Sequence, residues 1–166
     1  LHGFYINIEL FFDYIKRKNI PVVLTLHDCW TFTGQCAHFD YVDCNKWKTQ
    51  CHHCPIFRTN YPYSLFKDNS SQNYIQKQEI LTGISNMVIV TPSEWLSRLV
   101  SDSFLSGYPV KTIPNGIDLQ IFHPYPTKTI TYKKIILGVA NVWTERKGYH
   151  YFLELAKAVG KQYQIV

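Results

Sequence analysis

Two short apolar runs constrain this chain more than anything else in it. Val22-Val23-Leu24-Thr25-Leu26 and Met87-Val88-Ile89-Val90 are rich in β-branched residues and do not alternate with polar ones. Strands of that kind are buried on both faces, as in parallel sheets covered by helices on each side. The flanking stretches supply such helices. Tyr5, Ile8, Phe11, Phe12 and Ile15 recur at helical spacing, with Lys16, Arg17 and Lys18 where cations suit a helix C-terminus, so a helix is expected over about residues 4–18. Ser71 is expected to cap a helix running toward Ile84. Ser93-Glu94 is expected to open another through about Leu105, with Trp95, Leu96, Leu99 and Val100 as its apolar face. Val110 to Ile113 reads as a third strand, closed by the turn signal Pro114-Asn115-Gly116. Strands alternating with helices imply an α/β fold with a Rossmann-like parallel sheet wrapped on both faces.

A second unit follows. The hydrophilic run Pro124-Tyr125-Pro126-Thr127-Lys128-Thr129 reads as part of a linker over residues 123–133. Lys134-Ile135-Ile136-Leu137-Gly138-Val139-Ala140 then reads as a strand, and Lys147-Gly148 leads into a helix carrying Phe152, Leu153, Ala156 and Val159. A length of 166 residues fits one or two small domains. With 46% apolar and 17% charged residues, the composition suits a packed core and excludes wholesale disorder. The net charge of +5 is too small to indicate nucleic acid unless the charges cluster. No apolar run approaches the roughly 18 residues of a membrane span, so a soluble chain is expected. The chain starts at Leu1 rather than Met, and Gln162 to Val166 reads as the opening of a strand. It therefore reads as an internal piece of a longer protein.

Four local signals carry chemistry. The run Val22 to Leu26 ends in His27-Asp28, at the place where open α/β sheets bind ligands. A histidine there can donate to a sugar hydroxyl or a phosphate oxygen, or shuttle a proton; the plainer alternative is packing against Trp30. Residues 29–62 lack any period, and a stretch that long is usually functional or stapled. It holds Cys36, Cys44, Cys51 and Cys54, separated by seven, six and two residues. The closing Cys-x-x-Cys is half of the usual structural zinc site, and a loop expected to bury little core would take its ordering energy from the metal. Three alternatives stay open: free thiols, two disulfides in an oxidising compartment, or His38, His52 or His53 in place of one cysteine. Cys29, beside the strand, reads as a buried apolar thiol. Ile113-Pro114-Asn115-Gly116-Ile117-Asp118, with Phe122-His123-Pro124 after it, is by itself a turn before a linker. Finally, Asn141 to Gly148 forms a polar turn with Arg146 and Lys147 ahead of a helix, a place where backbone N–H groups and the helix dipole attract anions.

The order of these signals resembles the retaining glycosyltransferases of family 4. The features are a strand ending in histidine, Thr91-Pro92-Ser93 before a helix, Pro114-Asn115-Gly116-Ile117-Asp118 with Phe122 and Pro124 following, and then a strand leading to Arg146-Lys147-Gly148. The opening Leu1-His2-Gly3, the run from Thr25 to Cys36 and the run from Lys46 to Pro55 are most similar to the bacterial branch that builds capsular, exopolysaccharide or colanic-acid-type polymers. The resemblance covers nearly the whole chain. It implies a GT-B enzyme, in which two Rossmann-like domains face across a cleft. Residues 1–122 would be the latter part of the N-terminal, acceptor-binding domain, and 134–166 the start of the C-terminal, nucleotide-sugar-binding domain. It implies that His27 contacts the donor sugar or its phosphate, and that Lys147 of the Lys147-Gly148 pair contacts the donor diphosphate, with Arg146 nearby. The pair Ala140-Asn141 stands where the family often has Gly followed by Arg.

The resemblance further implies transfer of a sugar from a nucleotide-sugar donor to a glycan or lipid-linked acceptor with the anomeric configuration kept. No catalytic metal is expected, so any zinc would be structural. The setting would be the cytoplasm, including the inner face of the membrane through peripheral contact, with no nucleic acid partner. Neither oligomeric state, donor sugar nor acceptor can be read from the sequence. The piece alone is expected to be inactive, because most of the donor site would lie beyond it. The rival reading is a non-catalytic, zinc-stapled binding module whose Lys46, Trp47 and Lys48 touch an acidic partner or a stacked base. A zinc module alone would not need the long α/β frame around it.

Overall fold

A computed structural model describes residues 5–62, 64–124 and 133–166. The chain is mixed α/β and separates into two compact units, Leu1–Gly116 and Ile117–Val166. The opening Leu1-His2-Gly3 and most of the expected linker lie outside the described residues. Among the described residues, no helix is long and apolar enough to cross a membrane.

The first unit is built on a parallel three-stranded sheet in the order β1-β2-β3. β1 (Val22–Thr25) pairs with β2 (Met87–Thr91), Val22 opposite Met87 and Thr25 opposite Val90. β2 pairs with β3 (Val110–Thr112), Ile89 opposite Val110. β2 is central and buries Met87, Ile89 and Thr91. β1 is an edge strand, and Val23 is 72% exposed, so the expectation that Val22 to Leu26 is buried on both faces does not hold. Val22 and Leu24 on one face are half-buried while Val23 and Thr25 on the other are exposed, so β1 is covered on one face only.

The helices begin where their caps dictate. α1 (Ile8–Lys18) starts later than residue 4, because the Asn7 carboxamide oxygen accepts the Leu10 N–H at 3.0 Å. Tyr5 lies outside it and is exposed, Phe11 is partly exposed, and Phe12 and Ile15 form the buried stripe. Asn19, at φ 49°, ends the helix in the left-handed conformation. α2 (Ser70–Leu81) starts one residue before Ser71 and stops short of Ile84. Asp68 serves its N-terminus, accepting the Ser70 N–H at 2.9 Å and the Cys54 N–H at 2.7 Å. α3 (Glu94–Ser101) is capped by Ser93 as expected, with the Ser93 hydroxyl accepting the Leu96 N–H at 3.3 Å. Leu96 and Val100 are buried, whereas Trp95 points to solvent, and the helix ends before Leu105.

Residues 29–62 are more ordered than their lack of period suggests. Three short 3-10 turns, Trp30–Phe32, Asp40–Val42 and Lys46–Lys48, fold the stretch around Trp47. The Trp47 indole is fully buried, with the Phe32 and Phe39 rings 5.4 Å and 5.1 Å from it. The expectation that this stretch buries little core is therefore wrong. Polar side chains tie its ends: the buried Gln35 carboxamide donates to Phe57 O at 2.9 Å and Pro62 O at 3.0 Å, and Asn60 donates to His38 O. Gly34 sits where no side chain fits. A Cβ there would lie 2.1 Å from Ser70 O and 2.8 Å from the Cys51 Cβ. Gly34→Ala is expected to destabilise the first unit by about 1–3 kcal/mol through overpacking against backbone. Urea denaturation of both proteins checks this, and an unchanged midpoint would count against it.

In the second unit, β4 (Lys134–Ile136) pairs in parallel with β5 (Tyr163–Ile165), joined through a 3-10 turn (Glu145–Lys147) and α4 (Tyr149–Ala158). β4 is shorter than the expected strand to Ala140. Gly138 follows it, where a Cβ would lie 2.6 Å from the Phe152 ring and 2.9 Å from Trp143. Its bareness lets Trp143 and Phe152 stack at 5.2 Å.

Candidate functional site

The carboxyl end of the first sheet presents the expected histidine. Pairing with β2 continues through Leu26, whose N–H donates to Val90 O at 2.8 Å, and Leu26 is buried. His27 follows directly and is exposed. Its backbone is therefore held by the sheet while its ring faces solvent, as a ligand-contacting group at a strand end requires. One Asp28 carboxylate oxygen accepts the Trp30 N–H at 2.9 Å and shapes the turn after the strand. The Trp30 ring is covered by another group: the Lys77 ammonium lies 3.5 Å from its centroid.

Lys77 is a residue the sequence reading passed over. It is buried in α2 and donates to Trp30 O at 2.7 Å and Thr33 O at 3.0 Å. The signal was its place on the buried stripe of that helix, one turn after Tyr74 and four residues before Leu81. Burial pushes its ammonium down from 10.5 to about 7, partly opposed by the charges of Cys51, Cys36 and Asp28. Between those two values the folded chain binds fewer protons at this site than the unfolded chain does. The Lys77 contribution to stability therefore rises with pH from about 7 to about 10.5, and is least favourable below about 7. The stability difference between wild type and Lys77→Met is expected to move in favour of wild type as pH rises through that window. Denaturation at several pH values checks this, and a flat difference would refute it.

Cys36, Cys44, Cys51 and Cys54 line one small cavity, shared with Trp47 and Lys46. Cys36 and Cys51 are buried, and Cys44 and Cys54 half-buried. None of the cysteines is in a disulfide. A hydrogen bond between Cys36 and Cys54, together with burial, holds the Cys36 proton firmly. The same hydrogen bond draws Cys54 down to about 7 against its own burial, helped by the Ile56 N–H. Burial pushes Cys51 up to about 11, partly offset by the Gly34 N–H. Lys46 donates to His52 O at 3.1 Å and His53 O at 3.0 Å, bracing the turn between Cys51 and Cys54. Among the described residues, no three His, Cys, Asp or Glu side chains are gathered as around a bound ion. Cys29 is buried apart from the four, and burial pushes its thiol up to about 12.

In the second unit the chain brings two of the expected donor-binding residues together: Lys147 donates to the Asn141 carboxamide oxygen. The same oxygen accepts the Val142 N–H at 2.9 Å. Gly148, at φ 72°, turns the chain from the 3-10 turn into α4 and precedes it without a side-chain cap. Arg146 is exposed beside Lys147. An exposed ammonium beside a helix start is a setting that favours anions.

The chain is similar to WcaC of Escherichia coli (strain K12), a protein provisionally named as a colanic acid biosynthesis glycosyl transferase. The two are 30% identical over 129 residues, which is 72% of this chain and 30% of that protein. The chain thus spans less than a third of the length of that relative. No protein-family profile matches the chain, and no solved structure matches it.

Proposed function

We propose that this chain is part of a glycosyltransferase of cell-surface polysaccharide biosynthesis. The likeness to WcaC over 129 residues carries this reading. The mixed α/β structure with a parallel sheet fits a Rossmann-like portion of such an enzyme. The finer reading is a retaining enzyme of GT-B architecture, with a nucleotide-sugar donor and a glycan or lipid-linked acceptor. It acts in the cytoplasm, at the inner face of the membrane where a lipid-linked acceptor presents itself.

In this mechanism the bond from the anomeric carbon to the donor phosphate breaks, and the leaving nucleoside diphosphate gathers negative charge. Lys147 and the start of α4 offset that charge where it develops, with Arg146 as the neighbouring cation. Lys147 exchanges its contact with Asn141 for a phosphate oxygen. The sugar becomes oxocarbenium-like, and His27 positions it through a hydroxyl or phosphate oxygen. The acceptor oxygen bonds to the anomeric carbon on the face the diphosphate leaves, and its proton passes to solvent or to the departing phosphate.

The test uses the full-length protein that contains this chain, offered a panel of labelled UDP- and GDP-sugars with lipid and glycan fractions as acceptors. Acceptor-dependent release of nucleoside diphosphate is expected, with a product whose anomeric configuration by NMR matches the donor. Absence of nucleoside diphosphate binding and release across the panel would overturn the transferase reading. An inverted product would overturn retention alone.

A further inference from the structure

We propose that Cys36, Cys44, Cys51 and Cys54 are the ligands of one structural zinc ion that closes residues 29–62 against α2. Four sulfurs from separate parts of an irregular stretch line the same small cavity. The last two belong to a Cys-x-x-Cys turn, whose spacing lets neighbouring residues grip one tetrahedral ion.

Hydrogen-bond donors surround the sulfurs. Trp47 is buried, and its indole Nε1 has no hydrogen-bond partner, although it lines this cavity. An unpaired buried N–H is costly, and a metal-bound thiolate is an acceptor that would satisfy it. The Gly34 N–H donates to Cys51 and the Ile56 N–H to Cys54. The approach of Gly34 to Cys51 excludes any side chain at position 34. Backbone and indole donors around the sulfurs are the kind of outer support that orients metal ligands. A zinc ion with four thiolates carries a net charge of −2. The Lys46 ammonium, at the cavity wall, opposes that charge.

Cys36 and Cys54 are already linked by a hydrogen bond across the cavity. Zinc takes four sulfurs at about 2.3 Å, four Zn–S bonds form, and the thiol protons leave to solvent without any change of oxidation state.

The experiment uses the full chain purified without chelator. One zinc per chain is expected by elemental analysis. Replacement by cobalt(II) should give the intense visible and near-ultraviolet bands of a tetrahedral thiolate site. Cys44→Ser and Cys54→Ser should each lose stoichiometric zinc, and Cys29→Ser should retain it. If the cysteine variants fail to fold, the wild-type readouts still decide the matter. A folded wild-type chain without metal, with four thiols reactive or paired as disulfides, would overturn the site, as would iron in place of zinc.

Discussion

His27→Ala in the intact enzyme is expected to lower turnover by roughly 10²-fold, with a melting temperature close to wild type. The reason is the place of the residue. Its backbone follows directly on Leu26, which is bonded to Val90, while the ring itself is exposed. Removing an exposed ring leaves no cavity, so the fold loses little. On the proposed reading, the lost ring is a donor held beside the sheet and aimed at charge that develops in the transition state. Turnover and thermal unfolding measured on one purified variant separate the alternatives. A fall in stability with normal turnover by the folded fraction would overturn the assignment of His27 to the site.

Trp47→Ala is expected to destabilise the first unit by about 3–5 kcal/mol. The indole is the centre of the small core inside residues 29–62, against Phe32 and Phe39, and the Trp47 carbonyl accepts the Tyr74 hydroxyl of α2 at 3.0 Å. Deleting it empties the space between the stretch and the helix. Chemical denaturation checks the magnitude. A loss below about 1 kcal/mol would show that the stretch is held by its sulfurs and backbone alone, contrary to the packing argument. Trp47→Phe should recover most of the stability, because the ring contacts survive.

The elements that repeat were legible from the residues alone. The unbroken run at Met87 to Val90 announced a buried strand, and Ser93 ahead of Glu94 announced a helix start that its hydroxyl does cap. Four cysteines closing on Cys-x-x-Cys pointed to a shared location, and they do share one cavity. His27 was placed at a strand end by the run before it, and it stands there exposed.

Other features depended on contacts between residues far apart in the chain. Val22 to Leu26 has the composition of a doubly covered strand, yet which face other elements cover is decided by packing, and the face with Val23 and Thr25 stays exposed. Trp47, Phe32 and Phe39 have no common period, so nothing local announces that they meet. Lys77 is an ordinary lysine in a helix until α2 packs its stripe onto Trp30 and Thr33, after which two carbonyls and a ring hold it buried. Local pattern reports what one element does to its own backbone, at a period of 2 or 3.6 residues. Burial of an irregular stretch, and of any charge within it, follows from which distant surfaces it is packed against, and that is determined only when the whole unit folds.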